Sequence, residues 1–324
     1  MNKSIKLIVN YLLGPLLFVI LSYLLYKQII NQPDLEIRYQ QIKLSWKEPV
    51  FWLVFLLMFL NWGIESVKWK LLLSPLEKIS LFQSVKSVFA GCSITMLTPN
   101  RTGEFGGRIL FVKPENRLTS ISTTILGSIS QLSITILLGA IAIIYLKNSD
   151  NDHLLKNLPW IFNDFIFYFS LISSIILILL FFKIHFLVVF LSRIPLLKKV
   201  IRHLEIVDSF TGKVLLRILF LSFARYMIFI LQYILLLRLL HVEIDFYLCF
   251  WLLSVFYLAM AILPTIGFTE LPVRATVSVM IIGLFSTNTL GIQAAAFGIW
   301  CINLVIPAVI GSFFILSAKI LKSK

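Results

Sequence analysis

Long apolar runs, each near the length that crosses a bilayer as a helix, dominate this chain. A spanning helix needs about 20 mostly apolar residues, and the chain offers several such runs. The composition agrees, because 59% of its 324 residues are hydrophobic and 14% are charged, whereas soluble domains carry about a quarter charged residues. We therefore predict an all-α fold, a polytopic integral membrane helical bundle that forms a single domain over residues 1–324.

The apolar runs predict eight crossings and one re-entrant segment. Ile79–Leu97 is apolar but carries polar side chains such as Gln83 and Lys86, which favours a re-entrant or half-length helix. Leu7–Tyr26 is long for a signal peptide and lacks a small-x-small cleavage site, so we expect a retained crossing. The eight predicted crossings are Leu7–Tyr26, Phe51–Leu73, Thr119–Leu146, Trp160–Phe182, Val214–Leu240, Phe246–Leu263, Pro272–Phe285 and Ile292–Leu316.

Basic residues near helix ends predict the orientation, because Lys and Arg accumulate on the cytoplasmic side. Eight crossings place the groups after the second crossing, between the fourth and fifth, and at the C-terminus on one side. The loop Lys27–Pro49 disagrees, since it would lie outside and carries four basic residues. We predict a multi-pass protein of the cell (inner) membrane with both termini cytoplasmic. The basic residues used are Lys68, Lys70, Lys78, Lys86, Lys183, Arg193, Lys198, Lys199, Arg202, Lys213, Arg217, Lys319, Lys322 and Lys324.

The net charge of +14, from 29 basic and 15 acidic residues, indicates a membrane partner. In a chain this apolar the anionic membrane surface of the cytoplasmic leaflet is a simpler partner than nucleic acid, so we predict no nucleic acid. Leu196–Arg217 places basic residues among apolar ones at helical spacing, which predicts a helix lying on the membrane surface. Ordinary positive-inside bias, without lipid specificity, explains the same charges.

The sequence offers no motif for a cofactor, a metal or a nucleotide. Its three cysteines have no C-x-x-C spacing, and its four histidines form no pair with ligand spacing. It contains no Walker A motif, no G-x-G-x-x-G after a strand and no G-x-S-x-G elbow. We therefore expect no cofactor and no metal, and a protein that is not an enzyme.

Two cassettes of similar layout interrupt the apolar runs. The first reads LTPNRTGEFGGR over Leu97–Arg108, and the second reads LPTIGFTELPVR over Leu263–Arg274. Pro and Gly stop helices, so each cassette predicts a break between two helical segments. Paired breaks in the two halves of a membrane protein point to a transporter's binding site, and we expect them to approach each other in space. In ordinary interfacial loops, Glu104–Arg108 and Glu270–Arg274 are simply i, i+4 pairs.

A few polar residues lie inside the predicted crossings. Arg225 is about half a crossing deep, where an ionisable group costs about 3 kcal/mol or more unless it meets a partner or water. Its helix offers no acid within reach, so we expect Glu65, a cassette glutamate or a lipid phosphate as partner. We expect Glu65 and Lys68 to form a snorkelling pair near the interface. The amides are expected to form interhelical hydrogen bonds; they are Asn61, Gln131, Gln232 and Asn303.

The cassettes resemble the transmembrane region of lysylphosphatidylglycerol synthases, which also occurs alone in flippase-like membrane proteins of bacteria and archaea. The resemblance covers nearly the whole chain in its pattern of crossings. The family usually has Gly at the position of Asn100 and tends to show Gly-Gly-x-Gly where this chain retains only Gly267. The sequence reaches Lys324 soon after its last predicted crossing, so we expect no acyltransferase domain, and the resemblance implies the lipid-translocating or lipid-binding half. The motifs that carry it are Thr98-Pro99-x-Arg101-x-Gly103-Glu104 with Arg108, and Pro264-x-x-Gly267-x-x-Glu270.

The same residues are our candidates for lipid binding. Planar arginine forks suit phosphate, helix N-termini after each break favour anions, and glycines let the backbone approach a headgroup. The glutamates would neutralise the arginines when no lipid is bound. The candidates are Arg101, Gly103, Glu104, Arg108, Gly267, Glu270, Arg274 and Arg225.

We predict a lipid translocase that binds and moves an anionic, aminoacylated or polyprenyl-linked lipid across the cytoplasmic membrane. The alternative is a non-transporting membrane protein that modulates a lipid- or glycan-synthesis partner. A lipid-modifying enzyme is a third reading, for which the sequence offers no nucleophile–base pair. Expected partners are the lipid and a second copy of the chain or a separate lipid-synthesis protein.

Overall fold

The computed structural model describes residues 35–96, 98, 102–148, 160–182, 205–265 and 269–317, together with 23, 26 and 27. This part of the chain is helical and contains no strand, which confirms the predicted all-α fold. The candidate residues Arg101 and Gly267 lie outside the described residues, as do most of Leu7–Tyr26 and the first part of Leu196–Arg217.

The helices are labelled in chain order. A π-helical turn over Cys301–Val305 joins the last two, and 3-10 turns occupy Ser45–Lys47, Pro114–Asn116 and Glu205–Ser209. The α-helices are α1 (Leu35–Leu44), α2 (Pro49–Leu73), α3 (Leu81–Thr95), α4 (Gly103–Ile109), α5 (Arg117–Lys147), α6 (Trp160–Phe182), α7 (Gly212–Leu239), α8 (Phe246–Ile262), α9 (Glu270–Ile282), α10 (Thr289–Trp300) and α11 (Ile306–Ser317).

Four helical stretches in the described part of the chain are long and apolar enough to cross a membrane. They are Pro49–Leu73, Pro114–Lys147, Gly212–Leu239 and Thr289–Leu316, and each coincides with a predicted crossing. Two further predicted crossings, the fourth and the sixth, correspond to α6 and α8. The chain is therefore a helical membrane protein.

The predicted crossing Pro272–Phe285 is wrong. The helix at this place, α9, has 13 residues, which is about 20 Å at 1.5 Å per residue, against a hydrocarbon core of about 30 Å. The predicted run has only 14 residues, which is itself fewer than the about 20 that a crossing needs, and its last three residues form a turn. The half-length helix predicted over Ile79–Leu97 is confirmed, since α3 has 15 residues.

Both predicted helix breaks are confirmed. In the first cassette α3 ends at Thr95 and α4 begins at Gly103. In the second, α8 ends at Ile262 and α9 begins at Glu270. Each cassette thus ends in a short helix that begins at or one residue before its glutamate and carries its arginine one turn further on.

The two basic segments differ from their predicted form. The polar loop Lys27–Pro49 contains α1, which has no buried residue. The predicted surface helix does not extend to Arg217, because Glu205–Ser209 forms a 3-10 turn and α7 begins at Gly212. Lys213 and Arg217 therefore belong to a long apolar helix rather than to a separate surface helix.

The core consists of two hydrophobic clusters. One gathers side chains of α7, α8 and α10, and the other gathers side chains of α2, α3 and the beginning of α7. Trp62 and Leu219 pack against both clusters. Since Trp62 follows Asn61 and lies one turn before Glu65, the polar side chains of α2 lie where the two cores meet.

Candidate functional site

Glu65, on α2, is the centre of a buried group of charges. Its side chain is 3% exposed. Glu65 Oε1 lies 2.6 Å from Arg108 Nη2 of α4, and Glu65 Oε2 lies 2.8 Å from Lys68 Nζ on its own helix. Oε2 also accepts a hydrogen bond from Arg225 Nη1 of α7. A single carboxylate thus joins three helices and three cations.

The predicted snorkelling pair of Glu65 and Lys68 is wrong. Lys68 is 1% exposed, and its ammonium group donates to Ser222 Oγ at 3.4 Å. Ser222 in turn hydrogen-bonds Ser130 of α5 at 2.8 Å. Lys68 lies near the end of α2 in the sequence, which resembles an interfacial position, but α5 and α7 cover this face of the helix. Lys68 is therefore no evidence for the orientation of the protein in the membrane.

Arg225 meets Glu65, one of the three partners that we expected for it. Besides its ion pair with Glu65, its Nε donates to Asn61 Oδ1 at 2.9 Å. Its guanidinium lies over the ring of Trp62, 5.2 Å from the centroid, and near Phe229 at 5.5 Å. Such cation–π contacts stabilise a desolvated arginine, so Arg225 is fully accommodated inside the bundle.

The first cassette delivers Arg108 to the same carboxylate. Arg108 Nη2 donates to Glu65 and also to Glu104, one turn earlier on α4. Arg108 is 2% exposed and lies over Trp69, 5.0 Å from the ring centroid, whereas the Glu104 side chain is 31% exposed. The i, i+4 pair therefore exists, but its arginine is buried between helices and its glutamate is the part that reaches the outside.

These five residues, Glu65, Lys68, Glu104, Arg108 and Arg225, are called the charged cluster below. Counted over the residues that the structure describes, it holds three cations and two carboxylates, which is an excess of one positive charge. Burying an uncompensated charge is costly. In addition, Arg108 Nε is buried with no hydrogen-bond partner among the described residues. The cluster is thus chemically suited to an anion with hydrogen-bond acceptors.

The amides of the crossings form the predicted interhelical hydrogen bonds. Asn61 Nδ2 donates to Asn303 Oδ1 at 3.3 Å, and Asn303 Nδ2 donates to Gln232 Oε1 at 3.1 Å. The last hydrogen bond of this series is donated by Gln232 Nε2 to the carbonyl oxygen of Val54 at 2.9 Å. Separately, Gln131 Nε2 donates to the carbonyl oxygen of Ser222 at 3.2 Å.

The glycines of the first cassette hold α4 against α3. A methyl group on Gly107 would collide with the backbone of Ala90, and one on Gly103 would collide with the carbonyl of Ile94. At these two positions the close approach that we predicted for a headgroup is made by the neighbouring helix. A methyl group on Gly106 would meet nothing within 4 Å, so this backbone position stays open.

The second cassette forms its own buried ion pair. Glu270 Oε1 lies 3.0 Å from Arg274 Nη2, and both residues are buried. The Arg274 guanidinium lies 5.6 Å from the ring centroid of Phe256, and its Nε is buried with no hydrogen-bond partner among the described residues. This pair therefore resembles the first cassette in chemistry, and it differs from it because its glutamate is buried as well as its arginine.

Aromatic side chains connect the surroundings of the two arginines. Phe229, which contacts Arg225, lies 6.3 Å from Tyr257 between ring centroids. Tyr257 lies 5.2 Å from Phe256, the ring beneath Arg274. In the described part of the chain, the ion pairs of Arg225 and Arg274 go to different carboxylates. That both cassettes line one cavity stays a prediction.

The structure thus brings together Glu104, Arg108 and Arg225 of the predicted site, and it adds two residues that we did not select. Glu65 and Lys68 follow Asn61 at i+4 and i+7, which places all three on one face of an apolar helix. Ionisable groups in such a run mark functional sites by default, and this spacing was the available signal. No group of three or more potential metal-ligating side chains occurs among the residues that the structure describes.

Comparison with known proteins gives one family. A family model described as "Lysylphosphatidylglycerol synthase TM region" matches residues 11–311. The matched range includes both cassettes and every member of the charged cluster. A search of curated proteins found no match to this sequence.

Proposed function

Since this chain belongs to the lysylphosphatidylglycerol synthase transmembrane-region family, we propose that it binds a phosphate-bearing lipid and moves it across the cytoplasmic membrane. The family indicates a membrane protein involved in lipid handling. The further proposal concerns the activity, and it names an anionic, aminoacylated or polyprenyl-linked lipid as the cargo. Movement leaves the covalent structure of the lipid unchanged, so no catalytic residue is assigned.

The excess positive charge of the charged cluster carries this proposal. Three buried cations share two carboxylates, of which only Glu65 is buried. A lipid phosphate brought to the cluster supplies the missing negative charge and acceptors for the arginine donors. Arginine forks bind phosphate in a planar, bidentate manner, and Arg108 has an unpaired Nε to offer.

Glu104 marks the side on which the phosphate would reach the charged cluster. It is the exposed member of this cluster, with 31% of its side chain accessible. A carboxylate at this place partly neutralises Arg108 when no lipid is bound and stays beside it when a phosphate arrives, so the phosphate adds the missing charge. Glu65, which is buried, stays in the cluster and continues to face Lys68.

In this proposal Arg274 is a second binding position for the same phosphate. Its support is a buried guanidinium with an unpaired Nε and a carboxylate, Glu270, at the same i, i+4 spacing. Three aromatic side chains, Phe229, Tyr257 and Phe256, lie between the two arginines. A lipid that passes from Arg225 toward Arg274 would thus exchange one arginine for another.

The test is flipping of fluorescent phosphatidylglycerol in proteoliposomes of phosphatidylcholine and phosphatidylglycerol. Arg108→Gln is expected to lower the flipping rate strongly, whereas the exposed Arg217→Gln on α7 serves as the matched control. Equal rates for the two variants would contradict the proposed site. Lipid binding without flipping would favour the non-transporting alternative, and a change in lipid mass during the assay would show an enzyme.

A further inference from the structure

The last long apolar stretch, Thr289–Leu316, is not a uniform α-helix. Its middle, Cys301–Val305, forms a π-helical turn, in which each hydrogen bond spans one residue more than in an α-helix. Such turns are rare and occur frequently at functional sites. An α-helix rotates about 100° per residue, so one inserted residue decides which side chain of this segment faces the core. In this protein the side chain at the centre of the turn is the buried Asn303.

Asn303 is linked to Arg225 by hydrogen bonds that fix the direction of each amide. Asn303 Oδ1 accepts from Asn61 Nδ2, and Asn61 Oδ1 accepts from Arg225 Nε. Asn303 Nδ2 donates to Gln232 Oε1. If the amide of Asn303 were rotated by half a turn, its Nδ2 would face Asn61 Nδ2, and two donors would meet. The amide of Asn61 is therefore held with its oxygen toward Arg225, and Arg225 is held toward Glu65.

We propose that Asn303 is a positioning residue for Arg225, acting through Asn61, and that the π-turn rearranges when Arg225 binds an anionic lipid. The inference rests on the proposed function, since it needs a phosphate at the charged cluster. A guanidinium that turns toward a phosphate leaves Asn61 Oδ1 without its donor. A buried amide that loses a partner must find another. The other hydrogen bond of the Asn61 side chain goes to Asn303 Oδ1, so Asn303 is the next residue affected. Ligand binding at α7 thus reaches α10 and α11.

The native thiol of Cys301 reports on this turn. The chain has three cysteines; Cys92 and Cys249 are buried, and Cys301, the first residue of the π-turn, is partly exposed. The experiment measures the rate of maleimide labelling of the full-length protein in detergent micelles that contain phosphatidylglycerol or phosphatidylcholine. Peptide mass mapping assigns the label to Cys301.

In the wild-type protein, phosphatidylglycerol is expected to change the labelling rate of Cys301 by about fivefold or more, the usual lower range of coupling between sites. Asn303→Leu keeps the size of the side chain and removes both hydrogen bonds, so the lipid response is expected to disappear. Gln131→Leu removes an interhelical hydrogen bond of an amide that does not belong to the series Arg225–Asn61–Asn303. In this variant the effect of the lipid on the labelling rate is expected to persist. Asn303→Ser, a smaller change that cannot reach both amides, serves if Asn303→Leu does not fold.

A lipid response that persists in the folded Asn303 variants would overturn the inference. So would a wild-type protein that flips phosphatidylglycerol without any change at Cys301, and the proposed function would then stand. A wild-type protein that neither flips phosphatidylglycerol nor responds at Cys301 would overturn both. Loss of the response in Gln131→Leu as well would show a general packing effect and would also overturn the positioning role.

Discussion

The two cassettes share a layout in sequence but differ in what surrounds their arginines. Arg108 shares its Nη2 between Glu104 of its own helix and Glu65 of α2, and Glu65 also holds Lys68 and Arg225. The ion pair described for Arg274 goes to Glu270 on its own helix. The first cassette thus belongs to a network across three helices, whereas the ion pair described for the second lies within one helix.

This difference assigns the two cassettes different expected roles. The network is held by Glu65 from outside the cassette, and its partly exposed Glu104 gives it a route to a ligand. The second pair is buried at both residues and lies against Phe256. We therefore expect the first cassette to form the main anion site. The second cassette, with the same i, i+4 spacing, is expected to form a simpler binding position.

The largest expected effect is that of Glu65→Gln, which leaves three buried cations without their common carboxylate. Breaking a buried ion pair by removing one partner costs about 3–5 kcal/mol, so we expect a loss of this order in the free energy of unfolding. Glu270→Gln is expected to cost less, because the ion pair described for Glu270 involves one arginine. Thermal unfolding in detergent measures both, with the exposed Glu115→Gln as the control. Equal losses at Glu65 and Glu270 would remove the distinction between network and pair.

Exchanging the charges within each cassette sharpens the comparison. Judged by spacing alone, Glu104→Arg with Arg108→Glu retains an i, i+4 pair. The structure adds Glu65, so this exchange places two carboxylates side by side in a buried site and is expected to destabilise the fold strongly. Glu270→Arg with Arg274→Glu keeps its described pair and is expected to be milder. The melting temperatures of the two double variants measure this difference. A larger drop in melting temperature for the second cassette would contradict the network around Arg108.

Arginines on the same helix provide the third comparison. Arg225 is buried in the charged cluster, whereas Arg238 is exposed beside Phe246, 5.4 Å from its ring centroid. Hydrogen bonds to charged groups are worth about 1.5–3 kcal/mol, so we expect Arg225→Ala to lower phosphatidylglycerol flipping about 10-fold or more. Arg238→Ala is expected to retain nearly full flipping. Equal tolerance of both changes would argue against a role for Arg225 in the site.

The smallest expected effect concerns how α4 is held. Gly107→Ala forces a methyl group into the backbone of α3, and overpacking of this kind costs about 1–3 kcal/mol. Gly106→Ala, one residue away, enters open space and gains helix propensity of about 0.8–1 kcal/mol. The two variants should therefore move the unfolding temperature in opposite directions. A similar shift for both would mean that α3 does not support Arg108 through this contact.

Much of the architecture follows from local sequence. The apolar runs determine the long helices, because a helix in hydrocarbon must satisfy its backbone internally and needs about 20 apolar residues. Pro99, Pro264 and Gly267 predict the breaks, since such residues disfavour a continuous helix, whereas the cassettes' other glycines and Pro272 lie inside α4 and α9. The spacing of Glu104 and Arg108, and of Glu270 and Arg274, determines the two i, i+4 pairs. The prediction at Pro272–Phe285 failed because a run of 14 residues is shorter than the about 20 that a crossing needs.

The tertiary structure decided which charges meet and which are buried. Position along α2 places Lys68 near a helix end, and nothing in the sequence shows that α5 and α7 cover it. Glu65 became the centre of the site because α4 and α7 each bring an arginine to it from 43 and 160 residues away. The bonds of Asn303, in the π-turn, to Asn61 and Gln232 likewise arise only from the packing of helices. Spacing along one helix determines neighbours on that helix, whereas the charge balance of a buried site is a sum over several helices that only their packing brings together.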